Sequence, residues 1–163
     1  MILSQEYIRK GIHLLNLVIP LSYFYVFTEK WEVLIILSLI TLCFIVIDIS
    51  RHFVPLIKSI FYFFFDKMLR EHELKGKLTG ATWVMIASCV SILLFSKPVA
   101  ILCLLYMSLG DTAAGLIGQK YGKLRIGNKT WEGFVAGLIV CIIIAISYAV
   151  SYTHLTLPTT HYV

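Results

Sequence analysis

The sequence predicts an all-α, polytopic transmembrane helix bundle of about five spans plus an interfacial helix, and three observations predict it. Of the 163 residues, 59% are hydrophobic and only 14% charged, and the mean hydropathy of +0.87 lies outside the range of a soluble domain. Five apolar runs approach the ~20 residues that a helix needs to cross a bilayer; they fall at about 12–27, 33–49, 80–96, 98–118 and 131–150. Lys and Arg, finally, collect in alternate connections between those runs, as the positive-inside rule requires of a multi-pass protein.

Each element follows from its residues. Glu6, Arg9 and Lys10 precede the first run with no small-residue cleavage motif, which predicts a retained helix in place of a signal peptide. The second run closes on Asp48 and Arg51. Phe53 to Leu69 is apolar but broken by Pro55, Lys58, Asp66 and Lys67, a pattern that suits a helix lying in the membrane interface. The third run opens after Gly76 on Leu78-Thr-Gly-Ala-Thr-Trp83; the fourth contains Asp111; the fifth begins at Trp131. Basic residues flank the first run (Arg9, Lys10), follow the second (Arg51, Lys58, Lys67, Arg70, Lys75, Lys77) and follow the fourth (Lys120, Lys123, Arg125, Lys129), whereas the other turns carry Lys30 and Lys97 alone. Five alternating spans put all three basic segments on one face, with the N-terminus and the polar chemistry in the cytoplasm.

After Val150 an Ile-rich helix gives way to SYTHLTLPTTHYV. That peptide resembles one reading frame of a transposon-type sequencing adaptor, so residues 151–163 are expected to be a non-native tail. Residues 1–150 are then one membrane-embedded catalytic domain, incomplete at its C-terminus. His154 and His161 in the tail carry no functional weight. Cys43, Cys89, Cys103 and Cys141 sit within apolar runs without CxxC spacing and read as small core residues, not as a disulfide or zinc framework.

The stretch Gly110-Asp-Thr-Ala-Ala-Gly-Leu-Ile-Gly-Gln-Lys-Tyr-Gly-Lys, followed by Gly127-Asn-Lys-Thr-Trp-Glu-Gly133, carries the strongest chemical signal. A carboxylate in a hydrophobic run is costly unless it is paired, metal-bound or facing a watery cavity. Around Asp111 the glycines Gly115, Gly118 and Gly122 permit close approach, and Lys120, Lys123, Arg125 and Lys129 gather just beyond. A carboxylate, glycines and lysines together suit a Mg²⁺-bound polyphosphate, because Mg²⁺ bridges one or two carboxylates and substrate phosphates while cations neutralise the remaining oxygens. Asp111 is the expected metal ligand, with Glu132 as a second. Lys120, Gly122, Lys123, Lys129 and Thr130 complete the expected polyphosphate site. Arg9-Lys10-Gly-Ile-His13 places Arg9 and His13 on one helix face, which serves equally as a topology signal or a phosphate contact. Asp48-x-x-Arg51 reads first as a salt bridge on a helix face; Arg70-x-x-Glu73 stays open.

In order along the chain, RKxxH at 9–13, D-x-x-R at 48–51, R-x-x-E before LTGATW at 70–83, and GDTAAGLIGQKYGK with NKTWEG resemble the polyprenol kinase family, which includes dolichol kinase, phytol kinase and CTP-dependent diacylglycerol kinase. The resemblance runs from residue 9 to about residue 137. It implies a multi-span enzyme that phosphorylates a lipid alcohol with CTP as co-substrate, and it implicates Arg9, Lys10, Asp111 and Gly118 in activity. The region from Asp111 to Gly133 also looks like phosphatidate cytidylyltransferase, another CTP enzyme; the N-terminal RKxxH favours the kinase. The expected reaction is in-line attack of a lipid hydroxyl on the γ-phosphate of CTP, with Asp48, Glu73 and His13 as candidate general bases.

The expected partners are therefore the lipid alcohol, CTP and the bilayer, with a homodimer left open. Nucleic acid is not expected, since no recognition module accompanies the basic segments. A P-loop and the protein-kinase HRD and DFG signatures are absent from the sequence. A transporter or ion-path subunit would explain intramembrane acids, but the charges gather at one surface. A scaffold would explain the GxxxG pairs 118–122 and 133–137, but not Asp111.

Overall fold

The computed structural model describes residues 10, 11, 13–65, 78–127 and 129–156. The chain forms two compact units, Met1–Leu104 and Leu105–Val163.

In the first unit, α1 (Val18–Tyr25), α2 (Lys30–Phe53), α3 (Pro55–Phe65) and α4 (Gly80–Leu94) follow one another, and α5 (Lys97–Leu105) reaches the boundary. The first apolar run does not form one continuous helix. Pro20 has no N–H to give to Asn16 and its ring crowds that carbonyl, and the backbone tightens there into short-range bonds from Asn16 to His13, Leu17 to Leu14 and Ile19 to Asn16. Pro55 ends α2 in the same way: the residue before a proline avoids helical backbone, and Val54 is extended at φ −110° and ψ 110°. The interfacial stretch expected over 53–69 is helical at Pro55–Phe65, and its remainder lies outside the described residues. Helices α2 and α4 pack together, with Thr41 Oγ1 3.3 Å from Cys89 Sγ.

The second unit begins in the same long helix. After α5 comes a π-helical turn at Tyr106–Gly110, then α6 (Asp111–Tyr121), a small antiparallel hairpin of β1 (Arg125–Ile126) and β2 (Lys129–Thr130), and α7 (Trp131–Thr156). The hairpin is an addition to the all-α expectation. Its register pairs Arg125 with Thr130 and Ile126 with Lys129, around a two-residue loop in which Gly127 takes φ +57°.

Helices α6 and α7 cross on small residues. A Cβ at Gly133 would sit 2.6 Å from the Ala114 carbonyl oxygen and 3.0 Å from Gly118 Cα; one at Gly137 would meet Ala114 Cβ at 3.0 Å; one at Gly110 would meet Cys141 Sγ at 2.8 Å. The stripe Gly110–Ala114–Gly118 thus faces Gly133–Gly137–Cys141, an antiparallel small-xxx-small contact that suits close backbone packing in lipid. The GxxxG pairs 118–122 and 133–137 are both part of this one intrachain joint.

Three helices are long and apolar enough to cross a membrane, Lys30–Phe53, Lys97–Tyr121 and Trp131–Ser151, and a multi-pass integral membrane protein fits. Of the other two expected spans, 80–96 is helical over 15 residues at Gly80–Leu94, and 12–27 contains the 8-residue α1. At 1.5 Å per residue, a 15-residue helix covers about 22 Å, short of the ~30 Å hydrocarbon core.

Candidate active site

Polar chemistry collects at two places, one in each unit. In the first, the last turns of α2 carry Asp48 and Arg51, 3% and 2% exposed. Asp48 Oδ2 accepts from the Thr79 amide at 2.7 Å, Thr79 Oγ1 at 2.9 Å and Thr82 Oγ1 at 2.6 Å. The other carboxylate oxygen lies 3.5 Å from Arg51 Nε, and the guanidinium stacks over the Phe61 ring at 4.7 Å. Thr79 is also the N-cap of α4, its hydroxyl accepting from the Thr82 amide. The D-x-x-R pair is thus a salt bridge, as its spacing suggests, and a latch on LTGATW as well: it ties the end of α2 to the start of α4. A carboxylate oxygen already engaged by three donors is poorly placed to take a further proton, so the geometry supports a positioning role for Asp48 more than the base role.

Of the N-terminal candidates, Lys10 is buried and His13 half-buried. Arg9 and Glu73 lie outside the described residues. At the other end of this unit, two lysines that sequence reasoning treated only as topology markers act as braces: Lys97 Nζ donates to the Phe27 carbonyl at 2.6 Å and Lys30 Nζ to the Leu93 carbonyl at 3.4 Å. Each satisfies a carbonyl beyond or within the last turn of a helix, where cations are favoured.

The second place is the α6–hairpin–α7 joint. Asp111, exposed, opens α6 directly after the π-helical turn. Such π turns are rare and frequent at functional sites. Within the turn Ser108 is 1% exposed and its hydroxyl has no hydrogen-bond partner among the described residues, while Thr112 Oγ1 donates to the Ser108 carbonyl at 2.6 Å. Lys120 stands on the last turn of α6 and Lys123, Arg125 and Lys129 on the hairpin, all exposed. Along α6, Lys120 follows Asp111 by about 13 Å of rise and about half a turn, so the two side chains leave the helix on opposite faces.

Gly118, Gly122 and Thr130 occupy the joint itself. A Cβ at Gly118 would meet Thr130 Oγ1 at 2.7 Å, and one at Gly122 would meet Thr130 Cγ2 at 2.5 Å. Thr130 Oγ1 in turn accepts from the Gly133 amide at 3.3 Å. Their visible task is packing the hairpin onto the helices. Glu132 braces the hairpin too: its carboxylate oxygens accept from the Leu124 amide at 3.2 and 3.4 Å, while the Trp131 amide donates to the Leu124 carbonyl at 2.9 Å. Because α6 and α7 run antiparallel with Gly118 level with Gly133, Asp111 and Glu132 are offset along the axes by about 12 Å. The two expected metal ligands are not brought together, and among the described residues no group of three or more His, Cys, Asp or Glu is assembled. That donor set does not suit a protein-built metal cage. It does suit Mg²⁺, which commonly takes one carboxylate, several waters and the phosphates of its nucleotide.

No family model matches the chain, and no solved structure matches it. It is 28% identical over 142 residues to an uncharacterised protein of Rickettsia prowazekii (strain Madrid E), covering 83% of this chain and 69% of the relative. It is 28% identical over 156 residues to CTP-dependent diacylglycerol kinase 1 of Saccharomyces cerevisiae, covering 91% of this chain and 48% of the relative. To probable phytol kinase 1, chloroplastic, of Oryza sativa subsp. japonica it is 26% identical over 153 residues, covering 85% and 46%. The named relatives are lipid kinases. The likeness is distant, and it is to kinases of lipids, the diacylglycerol kinases among them being CTP-dependent by name. The chain spans about half the length of those kinases or less.

Proposed function

We propose that the chain is the core of a CTP-dependent kinase that phosphorylates a membrane lipid alcohol, of the polyprenol, phytol or diacylglycerol type, at the cytoplasmic face. The observation that carries this reading is that one apolar helix holds the carboxylate of Asp111 along its length and leads into a group of exposed cations at its end and on the hairpin, in a chain whose named relatives are lipid kinases. Asp111 holds Mg²⁺ through its carboxylate. When bound, that ion neutralises charge on the nucleotide phosphates. Lys120, Lys123 and Arg125 bind phosphate oxygens and stabilise charge on the transferring group, which in a loose transition state is most of what the protein must supply. Arg9 and Lys10 are candidate phosphate contacts on their motif alone. The alcohol enters sideways from the bilayer. Glu132 acts through the hairpin it braces.

The test uses membranes containing the full-length gene product, CTP labelled at either the α- or the γ-phosphate, and a panel of lipid alcohols and phosphatidate. Label from the γ-position in an alcohol's lipid product supports the kinase. Label from the α-position in lipid identifies a cytidylyltransferase and overturns it.

A further inference from the structure

The connection between the second-unit spans is only 122–130, because Tyr121 ends the apolar helix Lys97–Tyr121 and Trp131 begins the apolar helix Trp131–Ser151. If both helices cross the bilayer, the hairpin has to lie at the membrane–water boundary, where Trp and Tyr concentrate. Its two faces differ. Thr130 is turned onto Gly118 of α6 and onto Gly122 just past its end, and its cross-strand partner Arg125 shares that face. On the opposite face the pleat places Leu124, Ile126 and Ile126's partner Lys129. Leu124 and Ile126 are 66% and 55% exposed, and next to them the Trp131 and Phe134 rings, 49% and 56% exposed, stack at 5.5 Å. Large apolar side chains on a nine-residue polar connection have no internal packing to explain them.

We infer that this face of the hairpin is a membrane-seating surface: Leu124, Ile126, Trp131 and Phe134 sit in the headgroup–acyl boundary, and Lys129 snorkels from among them to anionic lipid phosphates. The occupant is the bilayer itself. The continuity of the patch with a membrane-spanning helix argues for this, as does charge, since the hairpin carries three cations and no acid. The seating divides the cations by task. Lys129 belongs to the lipid surface, while Arg125, on the face toward α6, stays with Lys120 and Lys123 on the polar side. It also fixes the height of the joint relative to the bilayer, so that an alcohol held in the leaflet meets it at a set depth. The surface rests on the membrane reading and not on the identity of the nucleotide reaction.

The test is nitroxide accessibility. A spin label is placed singly at 123, 124, 125 and 126 in the full chain lacking its four native cysteines, reconstituted in vesicles of phosphatidylcholine with phosphatidylglycerol. Labels at 124 and 126 should show several-fold higher accessibility to oxygen relative to an aqueous nickel chelate than labels at 123 and 125, an alternation of period two. In phosphatidylcholine alone, labels at 124 and 126 should move toward the aqueous side, and Lys129→Gln should reproduce that shift in the mixed vesicles. Uniform aqueous accessibility at all four positions would overturn the inference. So would an alternation unchanged by both lipid charge and Lys129→Gln, for the role of Lys129. All four label sites are exposed, so the labels displace no core packing.

Discussion

Asp48 shows how one side chain can tie two helices together. Its Oδ2 accepts three hydrogen bonds from Thr79 and Thr82 while Arg51 lies beside the other oxygen, all of them buried. Removing one member of such a group leaves the other charge buried without its counterion, so Asp48→Ala should cost about 3 kcal/mol in a detergent-solubilised unfolding measurement. A cost near zero would mean that water reaches the cluster. The pairing of Asp48 with Arg51 was legible from the i, i+3 spacing, but the involvement of Thr79 and Thr82 was not, because 31 and 34 residues separate them from Asp48. Ser108 makes the opposite case. Buried Thr41, Ser88 and Thr112 each donate to the carbonyl four residues back, and Ser108 alone in this group has no partner. Its hydroxyl carries an uncompensated burial penalty, so Ser108→Ala should leave thermal stability unchanged or raise it by about 1 kcal/mol. Loss of stability would show a hydrogen bond in solution that this arrangement lacks.

The α6–hairpin–α7 joint depends on absent side chains. Gly133→Ala would drive a methyl against the Ala114 carbonyl at 2.6 Å, backbone that cannot rotate away, and should cost about 2 kcal/mol by overpacking. Gly127→Ala meets nothing within 4 Å but must hold φ +57°, so its cost, about 1 kcal/mol, is conformational and should appear without any change in helix packing. Thermal melts of the two variants, read with a cross-linking pair spanning α6 and α7, separate these effects. Much at this scale was readable in advance: apolar runs located α2, the α5–α6 helix and α7, and the glycines at spacing four foretold close packing. The hairpin was missed because two-residue strands fall below any periodicity window; the Gly127-Asn128 dipeptide was the available turn signal. The break in the first run came from a single proline, Pro20, inside an otherwise continuous apolar stretch.

Across the whole molecule, the apolar helix Lys97–Tyr121 fixes a simple topological expectation, since Lys97 stands at one end and Lys123 just past the other. Cysteines substituted at these two positions, in a chain lacking the native four, should react with an impermeant reagent from opposite sides of a sealed vesicle. Same-side labelling would remove that span. The kinase reading rests on the distant relatives, on Asp111 within this helix and on the cations at its end, and Asp111 is its centre. A merely structural carboxylate near the bilayer interior costs on the order of 3 kcal/mol on insertion scales, so Asn there should be tolerated or favoured. The decisive measurement is turnover of Asp111→Asn in the full-length gene product, at saturating CTP and Mg²⁺, with transfer of the γ-phosphate to a lipid alcohol as readout and insertion checked in parallel. The account predicts normal insertion and a loss of phosphoryl transfer by orders of magnitude; turnover equal to that of the unsubstituted protein would contradict it.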